Sequence, residues 1–258
     1  IFVMSMACWA ALREALGGEI QLQPAFVAGH SLGEYTALAV AEAISFADGL
    51  HLVRERGQAM KAAGAAQPGK MAAVLGLDTE TVFTTCEEAS ARVGEPVVIA
   101  NDNAPGQTVI SGTHVAVNVA GELAKARGAK RVLHLAVSIA AHSPLMEAAV
   151  ARFAPVLQRI GFTPPRLPVI GNVFARPLST VTEAIGELSA QLTSQVRWTA
   201  SIRYMAEQGV STFIEVGPKD VLTGLVKRIT PMAEGIACGT VDGVNQAARL
   251  LRGQAAGA

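Results

Sequence analysis

The stretch PAFVAGHSLGEYTALAVAEAI, residues 24–44, joins an apolar run to a helix-forming run through a tight Gly-x-Ser-x-Gly turn. Residues 24–31 are short and apolar, which predicts a buried strand entering the turn. Residues 32–44 contain helix-forming residues and no proline, so a helix is expected to follow. A strand, a sharp turn and a helix are the context in which such a serine becomes an exposed nucleophile. Ser31 is therefore the first candidate functional residue.

Ser31 has two interpretations at this point. As a nucleophile it occupies a strained turn that needs glycine on both sides, and the Leu32 N–H is free to receive a developing oxyanion. As a helix cap it only accepts a hydrogen bond from the first turn, with Glu34 as its capping-box partner. The strand-turn-helix context favours the nucleophile, and the cap remains open.

The composition excludes several classes of protein. Half of the 258 residues are apolar, and 21 basic residues balance 21 acidic ones, so no charge excess indicates a nucleic acid or an anionic membrane as partner. The three cysteines, Cys8, Cys86 and Cys238, lie far apart without metal-ligand spacing. They are typical of a reducing, cytoplasmic location rather than a disulfide framework. No run is long and apolar enough to span a bilayer, and we expect no bound metal.

Two patterns of predicted secondary structure divide the chain into domains. In residues 67–137 the pattern predicts the element order βαββαβ, which is the ferredoxin-like order. In residues 1–66 and 138–258 helices alternate with strands near LPVIGNV, STFIEVG and GIACGTV, which predicts a mostly parallel sheet covered on both faces. We therefore expect an α/β fold: a large domain, 1–66 and 138–258, with an inserted subdomain, 67–137.

A serine nucleophile needs a base, and the chain has five histidines. His30 adjoins Ser31, but neighbours on a tight turn point apart, so it is expected to be a pocket residue. His142 is predicted at a strand end where a helix begins, the edge at which parallel sheets carry their ligand crevice. It is the preferred base, with helix capping as the alternative. The remaining histidines fall inside predicted helices or strands: His51, His114 and His134.

One arginine of the second predicted helix is expected to face inward. At 100° per residue, the core face of that helix is predicted to be Phe46, Leu50, Val53, Gly57 and Met60. Arg54 and Arg56 fall on opposite shoulders, and Arg56 shares its shoulder with apolar residues. A half-buried arginine needs an anion, ideally a carboxylate that it binds through two hydrogen bonds. A structural salt bridge is the alternative.

Motifs along the whole chain carry a resemblance to a known family: GHSLGEYTAL, RERGQAM, NDNAPGQTVISG, VSIAAHSPLM, QLTSQVRW and EVGPKDVLTGL. The chain resembles the bacterial malonyl-CoA:acyl carrier protein transacylases, which load the carrier protein for fatty acid biosynthesis. The resemblance implies an α/β-hydrolase-like large domain with an inserted ferredoxin-like subdomain. It also implies malonyl-CoA and acyl carrier protein as substrate and partner, no cofactor, and a monomer.

The resemblance assigns roles at matching positions. Ser31 corresponds to the acylated nucleophile, His142 to its base, and Arg56 to the group that holds the malonyl carboxylate. Gln191 corresponds to the residue that orients His142 through its main-chain carbonyl, and this accounts for the lack of a conspicuous acid between Ser31 and His142.

The remaining assigned positions lie around the entrance to the site. The Leu32 N–H corresponds to one oxyanion donor. Asn103 and His30 correspond to positions at the mouth of the site, although Asn103 also fits a simple turn asparagine.

Two departures from the family leave alternatives open. The family begins with a strand and a glutamine-containing loop that supplies a second oxyanion donor, so we expect this chain to be truncated at its N-terminus. Ala140-Ala141 stands where the family usually has Pro-Ser, which affects acyl selectivity. The competing functions are a serine esterase or thioesterase, a polyketide acyltransferase for another extender unit, and a non-catalytic module that binds carrier protein.

Overall fold

The computed structural model describes residues 1–17 and 22–256. Its helices over these residues are α1 (Phe2–Leu16), α2 (Gly33–Val40), α3 (Phe46–Ala66), α4 (Thr79–Val93), α5 (His114–Ala126), α6 (Glu147–Leu157), α7 (Val181–Gln191), α8 (Trp198–Glu207), α9 (Val221–Ile229) and α10 (Val241–Ala256). Its strands are β1 (Val27–Ala28), β2 (Lys70–Leu75), β3 (Val97–Ala104), β4 (Gln107–Gly112), β5 (Arg131–His134), β6 (Val169–Ile170), β7 (Pro177–Leu178), β8 (Thr212–Glu215) and β9 (Glu234–Ala237).

The subdomain has the predicted ferredoxin-like topology. Its antiparallel sheet has the strand order β3-β4-β2-β5, and α4 and α5 pack on one of its faces. Both helices begin at capping side chains: Asp78 accepts from the Thr81 N–H, and Thr113 accepts from the Ala116 N–H. The alternating strands and capped helices form a core of their own, separate from that of the large domain. The predicted fold class is confirmed, whereas the exact boundaries 67–137 stay a prediction.

The strands of the large domain are shorter than expected. β1 pairs with β6 in parallel and β6 with β7 antiparallel, while β8 and β9 form a separate parallel pair. The sequence predicts a single sheet in the large domain, whereas the described residues of that domain form two. The sequence also predicts neither strand β7 nor helix α10. β7 contains Pro177 and has two residues, too few to show an alternating pattern. α10 is rich in glycine and alanine, and its buried Ala247 and Ala248 pack in the same apolar cluster as Leu12 of α1.

The predicted core face of α3 is correct at Met60, which is buried, and wrong at the N-terminal end of the helix. Phe46 and Leu50 are exposed by 47% and 43% of their surface. The buried face instead contains Leu52, Arg56 and Ala59. Arg56 therefore lies in the buried face rather than beside it, because polar partners from other elements meet its guanidinium there.

Main-chain hydrogen bonds join the subdomain to the large domain. Asp102 of β3 donates its N–H to the Val196 carbonyl (2.9 Å), and the Val196 N–H donates to the Ala100 carbonyl (2.8 Å). Strand β3 thus pairs in parallel with the segment before α8, which brings one end of β3 beside the turn at Ser31. Among the helices of residues 1–17 and 22–256, none is both long and apolar enough to cross a membrane.

Candidate active site

The turn between β1 and α2 holds Ser31 in a left-handed backbone conformation, with φ at +52°. Gly29 is required there because a Cβ on it would lie 2.0 Å from the main-chain carbon of Gly33. Gly33 is different, since a Cβ at this position meets no atom within 4 Å. The expectation that both glycines leave necessary space is therefore wrong for Gly33. The turn directs the Ser31 side chain towards His142 and Arg56, which lie on two distant elements.

Ser31 does not cap the helix. The N-cap position is Leu32, whose backbone is already helical, and Glu34 turns inward to accept a hydrogen bond from Gln191 instead of closing a capping box. The Leu32 N–H makes no hydrogen bond to any residue that the structure describes. It is a free donor next to the Ser31 hydroxyl, as an oxyanion site requires.

His142 meets Ser31 as the sequence predicts, although not at a strand end. It lies in the loop between β5 and α6, at φ +58°. Its Nε2 is 2.8 Å from Ser31 Oγ, and its Nδ1 is 2.8 Å from the Gln191 carbonyl oxygen. A carbonyl only accepts, so Nδ1 carries the hydrogen and Nε2 is free to take the serine proton. The loop approaches closely because Gly64 of α3 has no Cβ to obstruct Ile139.

The surroundings of His142 favour the neutral imidazole that a base requires. Burial, and then the positive charge of Arg56, lower the pKa of His142 to about 3. The hydrogen bond from Nδ1–H to the Gln191 carbonyl opposes this shift only in part. A neutral carbonyl thus takes the place that a carboxylate holds in a Ser-His-Asp triad.

Arg56 is only 5% exposed, and its guanidinium points at the nucleophile. Its Nη2 donates to Ser31 Oγ (3.0 Å) and to the Gln191 side-chain oxygen (3.1 Å), and the guanidinium lies 5.6 Å from the centre of the Tyr35 ring. No acceptor among the described residues reaches its Nε, and no carboxylate lies within ion-pair distance. A buried cation with only neutral partners is suited to an anionic ligand.

A groove of about 500 Å³ runs beside Arg56, and its lining includes Met60, Ser138 and Ile139. Ala140 and Ala141, which the sequence connects with acyl selectivity, are 0% and 8% exposed and belong to the core of the large domain. They therefore pack in the core behind the loop that contains them, and their influence on acyl selectivity stays a prediction.

His30 and Asn103 lie together on the other side of Ser31. The His30 Nε2–H donates to Asn103 Oδ1 (2.7 Å), and the His30 ring meets the Trp198 ring edge-on at 5.4 Å. Burial lowers the pKa of His30. Asn103 lies in β3, where the register against β4 shifts between Asp102 and Ala104, and not in the turn that follows. This bulge directs the side chain of Asn103 to the site, so the subdomain contributes one wall.

Sequence reasoning missed three buried residues around Ser31. Asn172 Oδ1 accepts from the Ser31 N–H (2.6 Å), and its Nδ2 donates to the Gly29 carbonyl (2.8 Å). Glu34 and Glu187 are fully buried behind the turn. Within helices, acidic residues usually face solvent, so their sequence context does not distinguish these two. Asn172 is the second residue after β6, and that position near a strand end is the one signal that could have found it.

Comparison with known proteins agrees with this geometry. A family model described as "Acyl transferase domain" matches residues 1–248. The malonyl CoA-acyl carrier protein transacylase of Escherichia coli K12 is 48% identical over 207 residues, which are 80% of this chain and 66% of the relative. The Bacillus subtilis transacylase of the same name is 42% identical over 91% of this chain and 74% of its own length. The chain thus spans slightly less than two thirds of the Escherichia coli relative.

Solved structures agree as well. The transacylase of Coxiella burnetii superimposes with a TM-score of 0.91 at 38% identity, over 97% of this chain and 77% of that one. A malonyl-transacylase solved with a type II polyketide acyl-carrier protein gives 0.90 at 38% identity, over 96% of this chain and 79% of that one. The resemblance drawn from the motifs is confirmed, and the chain belongs to the acyl transferase domain family.

Proposed function

We propose that this protein transfers the malonyl group from malonyl-CoA to the phosphopantetheine thiol of acyl carrier protein through a malonyl-Ser31 intermediate. The names of the relatives support the substrate. The structural neighbour solved in complex with an acyl-carrier protein supports a carrier protein as acceptor. Fatty acid biosynthesis is the process in which we expect it to act.

The observation that carries the proposal is that buried Arg56 has no anionic partner among the described residues. Its guanidinium is buried, lies 3.0 Å from the nucleophile, and has only neutral hydrogen-bond partners among the residues described. An acyl group with a free carboxylate, such as malonyl, supplies the missing anion at the distance of an acyl chain attached to Ser31. Acetyl and longer uncharged groups do not.

The first step forms the acyl-enzyme. His142 Nε2 takes the Ser31 proton, and Oγ attacks the thioester carbonyl of malonyl-CoA. The Leu32 N–H donates to the oxyanion. The carbon–sulfur bond then breaks, and the coenzyme A thiolate leaves with the proton that His142 returns.

The second step repeats the sequence with another nucleophile. His142 takes the proton of the phosphopantetheine thiol, and the sulfur attacks the malonyl-serine ester. The ester bond breaks, Ser31 recovers its proton from His142, and malonyl-carrier protein leaves. Arg56 holds the malonyl carboxylate through both steps. Because coenzyme A leaves before the carrier protein reacts with the acyl-enzyme, we expect ping-pong kinetics.

The test is intact mass spectrometry of the protein after incubation with malonyl-CoA, with methylmalonyl-CoA and with acetyl-CoA. We expect one added malonyl group, its loss on addition of holo acyl carrier protein, and no addition to a Ser31→Ala variant. Labelling that persists in Ser31→Ala would place the nucleophile elsewhere.

The same experiment separates the alternatives. Release of free malonate without transfer indicates an esterase or thioesterase. Preference for methylmalonyl-CoA indicates a different extender unit. A folded protein that binds carrier protein but is never labelled indicates a binding module. The cytoplasmic location, the monomeric state and the lack of a cofactor or metal stay predictions of the sequence.

A further inference from the structure

Two side-chain amides hold the main chain of Ser31, one on each side. Asn172 Oδ1 accepts from the Ser31 N–H at 2.6 Å, and Gln191 Nε2 donates to the Ser31 carbonyl at 3.1 Å. Asn172 also donates to the Gly29 carbonyl, so it spans the turn. A non-glycine residue at φ +52° is strained, and such strain persists only where the surroundings over-determine the conformation. The hydrogen bonds of these two amides restrain the backbone of Ser31 in this conformation.

One buried carboxyl group accepts a hydrogen bond from the Gln191 amide, and another accepts from the main chain after Asn172. Glu34 Oε2 accepts from the same Gln191 Nε2. Glu187 accepts from the N–H groups of Val173 and Phe174, the two residues that follow Asn172. Both carboxyl side chains are fully buried, and the charge of Glu187 acts on Glu34. Two buried carboxyl groups therefore support the two sides of the turn behind the nucleophile.

The hydrogen bonds decide where the proton of this pair lies. Two ionised carboxylates buried in the same part of the core repel each other, and neither would be solvated. Both oxygens of Glu187 accept main-chain N–H groups, as an ionised carboxylate does. Glu34 Oε1 has no hydrogen-bond donor among the described residues, which is the position that a carboxylic acid hydrogen fills. Burial, and then the charge of Glu187, raise the pKa of Glu34 well above its ordinary value, and the nearby Arg56 only partly opposes this.

We propose that Glu34 is a protonated, neutral carboxylic acid and Glu187 an ionised carboxylate, and that the two position Ser31 by holding Gln191 and the segment that contains Asn172 against its main chain. Both are positioning residues, since neither touches the reacting atoms. The inference rests on the proposed role of Ser31 as the nucleophile, but not on which acyl group Ser31 carries.

The asymmetry of the pair makes the proposal testable. Glu34→Gln preserves the pattern, because the amide is neutral like the acid and its oxygen still accepts from Gln191. Glu187→Gln does not, because its NH₂ group must face a main-chain N–H that needs an acceptor. Glu34→Met keeps the approximate volume of the side chain and removes the acceptor of the Gln191 hydrogen bond. Glu207→Gln, an exposed change on α8, is the matched control.

The experiment follows Ser31 modification by phenylmethylsulfonyl fluoride with intact mass spectrometry, alongside malonyl-CoA labelling and thermal unfolding of each variant. In the probe reaction the Ser31 oxygen bonds to sulfur, fluoride leaves, and His142 takes the proton. We expect Glu34→Gln and Glu207→Gln to react within about threefold of the wild type, and Glu34→Met and Glu187→Gln to react at least about tenfold more slowly while folded.

The proposal is overturned if Glu34→Gln is as slow as Glu34→Met, or if the folded Glu187→Gln reacts like the wild type. If Glu187→Gln does not fold, the two Glu34 variants decide alone. A wild-type protein that reacts with the sulfonyl fluoride but not with malonyl-CoA contradicts the proposed function and leaves the positioning test valid.

Discussion

The subdomain and the catalytic site differ in which residues adopt the left-handed backbone conformation. In residues 67–137 the residues with positive φ are all glycines: Gly76, Gly94, Gly106 and Gly128. In the large domain Ser31 and His142 themselves have φ of +52° and +58°. The left-handed region costs an ordinary residue about 1–2 kcal/mol, so the subdomain avoids that cost and the site accepts it twice.

The difference shows what each region is built to do. The turns of the subdomain hold neither the nucleophile nor its base, and glycine makes them without strain. The site needs a hydroxyl and an imidazole at its turns, and glycine supplies neither. The amides of Asn172 and Gln191 stabilise the strained backbone of Ser31 instead. Strained non-glycine residues that many partners hold in place are typical of functional sites.

The largest expected effect comes from the glycine that the turn cannot lose. In Gly29→Ala the new Cβ would lie 2.0 Å from both the carbon and the oxygen of the Gly33 main chain, so α2 must move. We expect a loss of about 3 kcal/mol in the free energy of unfolding and no detectable Ser31 labelling. Gly33→Ala, with open space, is expected within about 0.5 kcal/mol of the wild type. Urea unfolding and intact mass measure both, and equal effects of the two variants would contradict the packing argument.

The second effect contrasts the arginines of the two regions. Arg127 of the subdomain pairs with Glu88, whereas Arg56 has no carboxylate partner within the described part of the chain. Arg56→Ala is expected to reduce the preference for malonyl-CoA over acetyl-CoA by about 100-fold, because a buried charge pair with the substrate is lost. Arg54→Ala, on the exposed side of α3, is the control. The ratio of the two acylation rates is the measurement, and an unchanged ratio in Arg56→Ala excludes the carboxylate-binding role.

The third effect is a pH profile that separates buried His142 from an ordinary histidine. With a pKa of about 3 the imidazole stays neutral as the pH falls, so Ser31 labelling by phenylmethylsulfonyl fluoride should change little between pH 7.5 and pH 5. A base with the ordinary pKa of about 6.5 would instead be about 30-fold less available at pH 5. A rate that falls with an apparent pKa near 6.5 would contradict the neutral, buried base.

The same group affects stability with a definite sign. Between pH 6.5 and pH 3 the unfolded chain takes up a proton at His142 that the folded protein does not. The free energy of unfolding should therefore fall as the pH is lowered through this range, by up to about 1.4 kcal/mol per pH unit from this group. His142→Asn should reduce that slope in urea unfolding, and buried His30 adds a slope of the same sign.

The smallest effect measures the strain itself. Ser31→Gly should be about 1 kcal/mol more stable than Ser31→Ala, because glycine adopts positive φ without strain. Gly94→Ala should lose about the same amount, since a Cβ at this helix C-cap meets no atom and only the left-handed backbone opposes it. Urea unfolding of the four proteins, wild type included, gives both differences, and a Ser31→Ala variant as stable as Ser31→Gly would remove strain from the comparison.

Local patterns determined most of the fold and the identity of the candidate nucleophile. The strand-turn-helix at Ser31, the Ser45 cap whose oxygen accepts from the Asp48 N–H, and the βαββαβ order all depend on neighbours in sequence. Spacing and periodicity report such neighbours directly. His142 and Arg56 do face inward as predicted, but for other reasons than those of the prediction. His142 lies in a loop rather than at a strand end, and Arg56 lies in the buried face of α3 rather than beside it.

Only the tertiary structure decided which polar groups meet. Asn172 lies 141 residues from Ser31 in sequence, and Gln191 lies 160 residues away. Glu34 and Glu187 lie on helices that would ordinarily expose them, and they are buried because each finds a hydrogen-bond partner on another element. A polar side chain is buried where folding brings hydrogen-bond partners to it from distant segments. The spacing of residues within one helix or strand contains no information on those partners. The sequence by itself therefore identified the candidate nucleophile, and the packing of the chain determined what holds it.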